Sequence, residues 1–372
     1  MIYLDSAATT LQKPPTVALA SARAINHLSS PGRGGYRAAM SAAETALACR
    51  EEAAALFHVP DPEQVVFTFN ATHGLNIAIK SLVKPGDKVV ISGYEHNAVT
   101  RPLHTIPGID LRVARAPLFE QEAMVAAFRQ ELNRGVDVVI CNQVSNVFGA
   151  VLPVEKIAVL CRDRGIPLIV DASQAAGVVP VDFEKLGAAF VAMPGHKGLY
   201  GPQGTGLLLC GSDIVEPILE GGTGSNSISQ EMPAFLPDRL EAGTHNIAGI
   251  AGLLEGIRYV RRCGLNAIRA HENHLIQQLI AGLEQISTVQ LYASDYPERQ
   301  TGVLSFRLKD MDCETVGERL GDLGFALRAG LHCAPLAHET AGTLDTGTVR
   351  ASVSAFNTER EIQQLLNALE KL

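Results

Sequence analysis

Four short segments carry residues whose types and spacing can do chemistry. "MPGHKGLYGPQGTG" (193–206) sets Lys197 among glycines behind an apolar run. It lacks the Gly-x4-Gly-Lys-Ser/Thr spacing of a nucleotide-binding loop. A lysine in a turn is ordinarily a solvated surface group, so its meaning depends on its company. "VDASQA" (170–175) places Asp171 at the end of a hydrophobic run, where a carboxylate is costly unless it pairs. "NATHGLN" (70–76) closes one apolar run and opens a helical pattern. The N–H groups at such a helix start, with the Thr72 hydroxyl, suit a phosphate, and Thr72 can equally act as a cap. "YEHNAV" (94–99) puts His96 at another run's end, where a structural histidine is the plainer reading.

A sheet must position these residues. Strand candidates fall at 65–69, 88–92, 111–115, 136–142, 167–173, 188–193 and 205–210. They are rich in Val, Ile and Leu, as parallel strands covered on both faces are. Helical patterns such as 73–83 and 154–165 intervene. This alternation predicts a mostly parallel, doubly wound α/β sheet with ligands beyond the carboxyl ends of its strands. From about residue 249 a long helical stretch runs to 287. Strands near 301–308, 325–328 and 348–355 and helices near 313–323 and 358–371 then suggest a smaller α/β domain. The expected division is a large domain over 15–248 and a small one made of 1–14 and 249–372. The glycine-rich stretch 220–227 reads as a loop.

A lysine, an aspartate and a helix start at successive strand ends describe a pyridoxal phosphate site. The lysine forms a Schiff base, the aspartate keeps the pyridine nitrogen protonated, and the ring becomes an electron sink. The helix N-terminus holds the phosphate.

"LRAGLHCAPLAH" (327–338) raises a separate question about Cys333. A metal site with His332 or His338 lacks further ligands at suitable spacing. Burial is disfavoured by Gly330 and Pro335, which mark a loop. A nucleophilic thiolate fits best, with Arg328 and His332 near enough to favour it. The other six cysteines lie mostly in apolar runs and read as core. The odd count of seven, without a CxxC, argues against a disulfide framework or zinc ribbon. "HENH" (271–274) puts two histidines on one helix face with no third ligand, so no metal centre is expected.

Composition narrows the class. The chain has 372 residues, 47% hydrophobic and 19% charged, which is ample for a sizeable core. A net charge of −8 argues against a general nucleic-acid grip. No apolar run reaches membrane-spanning length, and the opening MIYLDSAATT has neither a basic nor an apolar leader region. A soluble, cytoplasmic protein with no membrane partner is expected.

The motifs together resemble those of the class V, fold-type I pyridoxal phosphate enzymes, and among them the cysteine desulfurases of the type II, SufS-like branch. The resemblance spans nearly the whole chain: YLDSAATT, NATHGLN, YEHNAV, NQVSNVFG (142–149), DASQA, PGHKGLYGP, EAGTHN (241–246), RAGLHCAP and VRASVSAFNT. It implies that Lys197 is the Schiff-base lysine and later proton carrier. It implies that His96 stacks on the cofactor ring, that Asp171 pairs with the ring nitrogen, and that Gln174 donates to the ring oxygen. Thr72 and His196, with backbone near Ala71, bind the phosphate. Thr244 reaches the phosphate of a neighbouring subunit, which implies a homodimer. Asn146 and Arg350 clamp the substrate carboxylate, Arg350 by a bidentate fork, and Arg328 lines the substrate pocket. Cys333 accepts the sulfur of L-cysteine as a persulfide while alanine leaves. The sulfur then passes to an acceptor protein or small thiol for iron–sulfur or thio-cofactor synthesis.

Four positions depart from the family pattern. Pro194 stands where a phosphate-binding serine is common, and His73 where an acidic residue follows the phosphate-loop threonine. Tyr36, in GRGGYRAAM (32–40), and Leu331 each stand where histidine is usual. The alternatives to cysteine desulfuration are selenocysteine lysis, cysteine sulfinate desulfination, or a class V transaminase, lyase or epimerase in which Cys333 is incidental. A non-catalytic sulfur-trafficking scaffold is a rival of another class, and the intact Lys197, Asp171 and Cys333 argue against it.

Overall fold

Val138–Asn142, Leu168–Asp171 and Phe190–Pro194 are strands buried along their whole length. Only a sheet covered on both faces allows this. Successive side chains alternate between the two cores, as the period of a strand requires. Val139 and Val170 pack into the core on one face, while Ile140 and Ile169 pack into the core on the other.

The structure is a computed structural model, and it describes residues 1–31 and 34–372. In chain order the elements are β1 (Ile2–Tyr3), α1 (Pro15–His27), α2 (Arg37–Phe57), β2 (Val65–Thr68), α3 (Ala71–Leu82), β3 (Lys88–Ser92) and α4 (Asn97–His104). Next come β4 (Asp110–Ala114), α5 (Gln121–Leu132), β5 (Val138–Asn142), α6 (Val154–Arg162), β6 (Leu168–Asp171), α7 (Phe183–Leu186), β7 (Phe190–Pro194) and β8 (Gly206–Cys210). The rest are α8 (Ile247–Cys263), α9 (Leu265–Leu283), β9 (Val289–Tyr292), β10 (Val303–Leu308), α10 (Cys313–Asp322), β11 (Phe325–Ala326), β12 (Arg328–Gly330), α11 (Pro335–Ala341), β13 (Thr348–Ser352) and α12 (Glu359–Leu369).

The large sheet has seven strands in the order β2-β8-β7-β6-β5-β3-β4. All are parallel except β8, which runs against both β7 and β2. The carboxyl ends of β2, β3, β5, β6 and β7 therefore lie along one edge. A second sheet of four antiparallel strands has the order β12-β13-β10-β9. The expected α/β architecture with a mostly parallel large sheet is what the chain forms.

Three details differ from expectation. The long helical stretch after 249 is two helices, broken at Gly264, whose φ of +81° favours glycine. The expected strand at 325–328 is two short strands in different sheets, β11 pairing with β1 and β12 with β13. Helix α8, placed by sequence in the small domain, packs Ile250, Leu253, Leu254 and Ile257 into the core of the large sheet. The core of the small sheet begins only at Leu275 in α9 and takes in Leu4 from the N-terminus. No helix among the described residues is long and apolar enough to cross a membrane.

Candidate active site

The loops that follow the aligned strand ends surround a cleft of about 530 Å³. Ala71, Thr72, His96, Asn146, Asp171, Gln174, His196 and Lys197 all line it. Eight residues chosen from sequence thus meet in one place.

Each arrives by a local rule. Lys197 follows β7 through Pro194-Gly195-His196. The turns after β6 and β7 press together so closely that a Cβ on Gly177 would lie 2.1 Å from the Gly198 carbonyl. Glycine is needed there, and the contact fixes Lys197 relative to Asp171. Burial brings the Lys197 amine down to about 8, with Arg350 and Arg328 adding to the shift and Asp171 opposing it. Asp171 ends β6, 4% exposed, and its Oδ1 accepts from the Ser173 N–H at 2.9 Å. Asn70 caps α3 by accepting from the His73 N–H at 2.9 Å. The first N–H groups of a helix have no partner within it, so those of Ala71 and Thr72 are left at the cleft. His96 is the N-cap of α4, its Nδ1 accepting from the Ala98 N–H at 3.0 Å. The ring proton therefore sits on Nε2. Burial lowers the His96 pKa, partly countered by Asp171.

Other assignments meet prior engagements. One Gln174 N–H already donates to the Ala7 carbonyl at 2.9 Å, which leaves the other for a cofactor oxygen. His196 Nδ1 bonds to Thr9 Oγ1 at 2.9 Å, and burial takes its pKa to about 4. Arg350 is 2% exposed and is not a free fork. Its Nη2 donates to Asp5 Oδ1 at 2.7 Å and its Nη1 to the Asn146 carbonyl at 2.8 Å. Nε of Arg350 and Oδ1 of Asn146 are buried with no partner among the described residues. Unpaired polar atoms of this kind are what an incoming polar ligand satisfies. Arg328 lies directly opposite Arg350 in the β12–β13 pair but is exposed.

Cys333 is exposed on a turn between β12 and α11. Its carbonyl accepts from the Asn97 N–H at 2.8 Å, at the start of the helix that His96 caps. The neighbouring His332 carbonyl accepts from Asn146 Nδ2 at 2.8 Å. The turn is thus fastened to the cleft residue Asn146 and to Asn97, between the cleft residues His96 and Ala98. His332 is buried and its pKa falls to about 2, chiefly through burial and then through Arg350. A neutral ring cannot favour a thiolate by charge, so the part of the sequence reading that gave His332 this role is corrected. Five of the other six cysteines are buried, as expected, whereas Cys263 is exposed.

Thr244 is not in this cleft. It lines a separate cavity of about 510 Å³ with Phe67, Thr68, His73 and His245. Of the departures from the family pattern, His73 stacks on Phe69 with ring centroids 4.7 Å apart. Pro194 ends β7, Tyr36 bonds to Ser29 Oγ at 2.7 Å, and Leu331 is 39% exposed. Gly32 and Arg33, in the stretch around Tyr36, lie outside the described residues.

Sequence reasoning passed over three groups. Asp5 was seen only as part of an opening motif. Glu95, fully buried beside His96, accepts from Ser92 Oγ at 2.7 Å and from the Asn142 N–H at 2.8 Å, and burial raises its pKa to about 8. Glu272, in the HENH stretch read as an exposed surface, is only 3% exposed and is raised to about 8 by burial. Their immediate neighbours, such as His271 and Asn273 around Glu272, gave no local signal of burial.

A lysine with a lowered pKa, a strand-end carboxylate and open helix N–H groups around one cleft fit pyridoxal phosphate. The chain belongs to the class V aminotransferase family, whose model matches residues 2–365. Within that family its relatives are more particular. It is 34% identical to a protein of Methanothermobacter thermautotrophicus named "Probable cysteine desulfurase", covering 100% of this chain and 94% of the relative. It is 32% identical to a cysteine desulfurase of Yersinia pseudotuberculosis, over 100% and 93%. The apo cysteine desulfurase of Thermococcus onnurineus superposes with a TM-score of 0.93 at 32% identity, over 100% of this chain and 94% of that one.

Proposed function

We propose that this chain is a pyridoxal phosphate-dependent cysteine desulfurase that releases alanine from L-cysteine and retains the sulfur as a persulfide on Cys333. The observation that carries this reading is the exposed Cys333 on a turn tied through the His332 carbonyl to Asn146, which lines the cleft that holds Lys197 and Asp171.

Bound pyridoxal phosphate supplies an electron sink for bonds at the substrate's carbon skeleton. The rest falls to the chain. The Ala71 and Thr72 N–H groups, the Thr72 hydroxyl and His196 would hold the phosphate. Asp171 would pair with the ring nitrogen and keep its proton there. Lys197 anchors the cofactor and, with its pKa near 8, can both take and return a proton at Nζ near neutrality. Arg350 Nε, Asn146 Oδ1 and the exposed Arg328 receive the polar ends of the substrate. Cys333 Sγ attacks the substrate sulfur. An S–S bond forms, the C–S bond breaks, and its electron pair stays with the carbon that becomes the alanine methyl group after protonation.

In this reading Thr244 serves the phosphate of a second copy, the enzyme is a cytoplasmic homodimer, and the sulfur passes to an acceptor protein or thiol for iron–sulfur or thio-cofactor synthesis. The test is an assay for alanine and sulfide with wild type and Cys333→Ala, run on cysteine, selenocysteine and cysteine sulfinate. Selenocysteine and cysteine sulfinate need less help from a thiol, so activity confined to them in wild type would turn the substrate assignment.

A further inference from the structure

The turn that carries Cys333 is strained. His332 and Cys333 are consecutive non-glycine residues at φ of +51° and +55°. Such conformations are uncommon and persist where the surroundings over-determine them. The two clamped carbonyls account for part of this. The side chain of His332 accounts for more, because it begins a line of buried polar groups behind the turn.

Three contacts make up that line. His332 Nε2 lies 3.2 Å from the Arg328 carbonyl. His332 Nδ1 lies 3.4 Å from His338 Nε2, and the two rings are nearly parallel, at 13°. His338 Nδ1 lies 2.8 Å from Thr343 Oγ1. His332, His338 and Thr343 are 5%, 0% and 1% exposed. Donors and acceptors can be assigned from one end. A carbonyl only accepts, so His332 Nε2 carries the proton and its Nδ1 is bare. His338 Nε2 must then donate to it, which leaves His338 Nδ1 bare, and the Thr343 hydroxyl must donate there. Every ring nitrogen is used, and a proton added to His332 Nδ1 would set two donors facing each other, whereas one added to His338 Nδ1 would turn the Thr343 hydroxyl toward the His338 carbonyl, 3.5 Å away. The line holds the geometry of the His332 ring.

We propose that Thr343 and His338 are positioning residues for the Cys333 nucleophile. They lock the His332 ring and so the backbone that aims the thiol. This deepens the desulfurase reading and rests on it.

Thr343→Val removes the terminal donor at nearly constant shape, and Thr343→Ser keeps it. With L-cysteine, T343V should lose about tenfold in kcat, the order expected for one positioning hydrogen bond, while T343S stays within about twofold of wild type. With selenocysteine, whose weaker C–Se bond asks less of the thiolate, T343V should stay within about twofold, and pyridoxal phosphate affinity should not change. An unchanged cysteine rate in T343V overturns the proposal. So does a parallel fall on both substrates, which marks a general structural defect. Nitrogen-15 NMR of the wild-type histidines gives a test that does not depend on the reaction or on the variant folding. Both rings should be neutral Nε2–H tautomers at neutral pH. A proton on Nδ1 of either, or a cationic ring, overturns the assignment even if the enzyme proves to act on another substrate.

Discussion

Asp5 and Arg350 stand 345 residues apart and meet at 2.7 Å through Oδ1 and Nη2. The pair joins the N-terminal segment to an inner strand of the small sheet, and it takes one arm of the guanidinium expected to clamp the substrate. A carboxylate arriving in the cleft meets an arginine whose orientation is already set.

Removing Asp5 leaves a buried guanidinium without its charge partner. Breaking a buried pair from one side usually costs about 3–5 kcal/mol. Since Asp5 retains some exposure, Asp5→Asn should destabilise by about 3 kcal/mol and raise KM for cysteine more than it lowers kcat. Urea unfolding and steady-state kinetics of D5N check both. A stability within error of wild type would show that Arg350 finds another partner.

Lys197 should react with the cofactor at lower pH than a free lysine. Its pKa is brought from 10.5 to about 8, first by burial. The amine is the reactive form, so covalent attachment of pyridoxal phosphate to apo protein should quicken as pH rises to about 8 and then level off. Stopped-flow absorbance across pH measures this. A rate still climbing steeply toward the ordinary lysine pKa would refute the shift.

Glu272 makes the chain less stable as pH rises. Its carboxyl is raised from 4.5 to about 8 by burial. Between those values the unfolded state has lost the proton and the folded state keeps it, so stability falls with rising pH across that window, by about 1.4 kcal/mol per pH unit for one such group. Glu95 has the same sign and window. Glu272→Gln should remove one share of that slope. Denaturation of E272Q at several pH values between the two pKa values is the check, and a slope equal to wild type would contradict it.

Most of the site was legible because its residues sit where apolar runs stop. Lys197, Asp171, Thr72 and His96 each follow a strand, and strand ends can be read from the period and type of side chains. What escaped depends on chain closure. Nothing near Asp5 announces Arg350, and nothing near His338 announces the His332 ring. The direction of β8 is likewise invisible to periodicity, which is the same for parallel and antiparallel strands. The break at Gly264 did carry a local signal, a glycine inside a helical pattern, and it was outweighed by the apolar stripe on either side. That both terminal nitrogens of Arg350 are already engaged was likewise not legible, because hydrogen-bond occupancy belongs to tertiary structure.

The central claim is that Cys333 takes the sulfur. Single-turnover reaction of the pyridoxal phosphate-loaded enzyme with L-cysteine, followed by mass spectrometry of the protein and assay of alanine, tests it directly. Wild type should gain one sulfur atom on the peptide containing Cys333 as alanine appears. Cys333→Ala should keep the visible absorbance of bound cofactor and produce neither. Alanine and sulfur released by C333A at the wild-type rate would contradict the account.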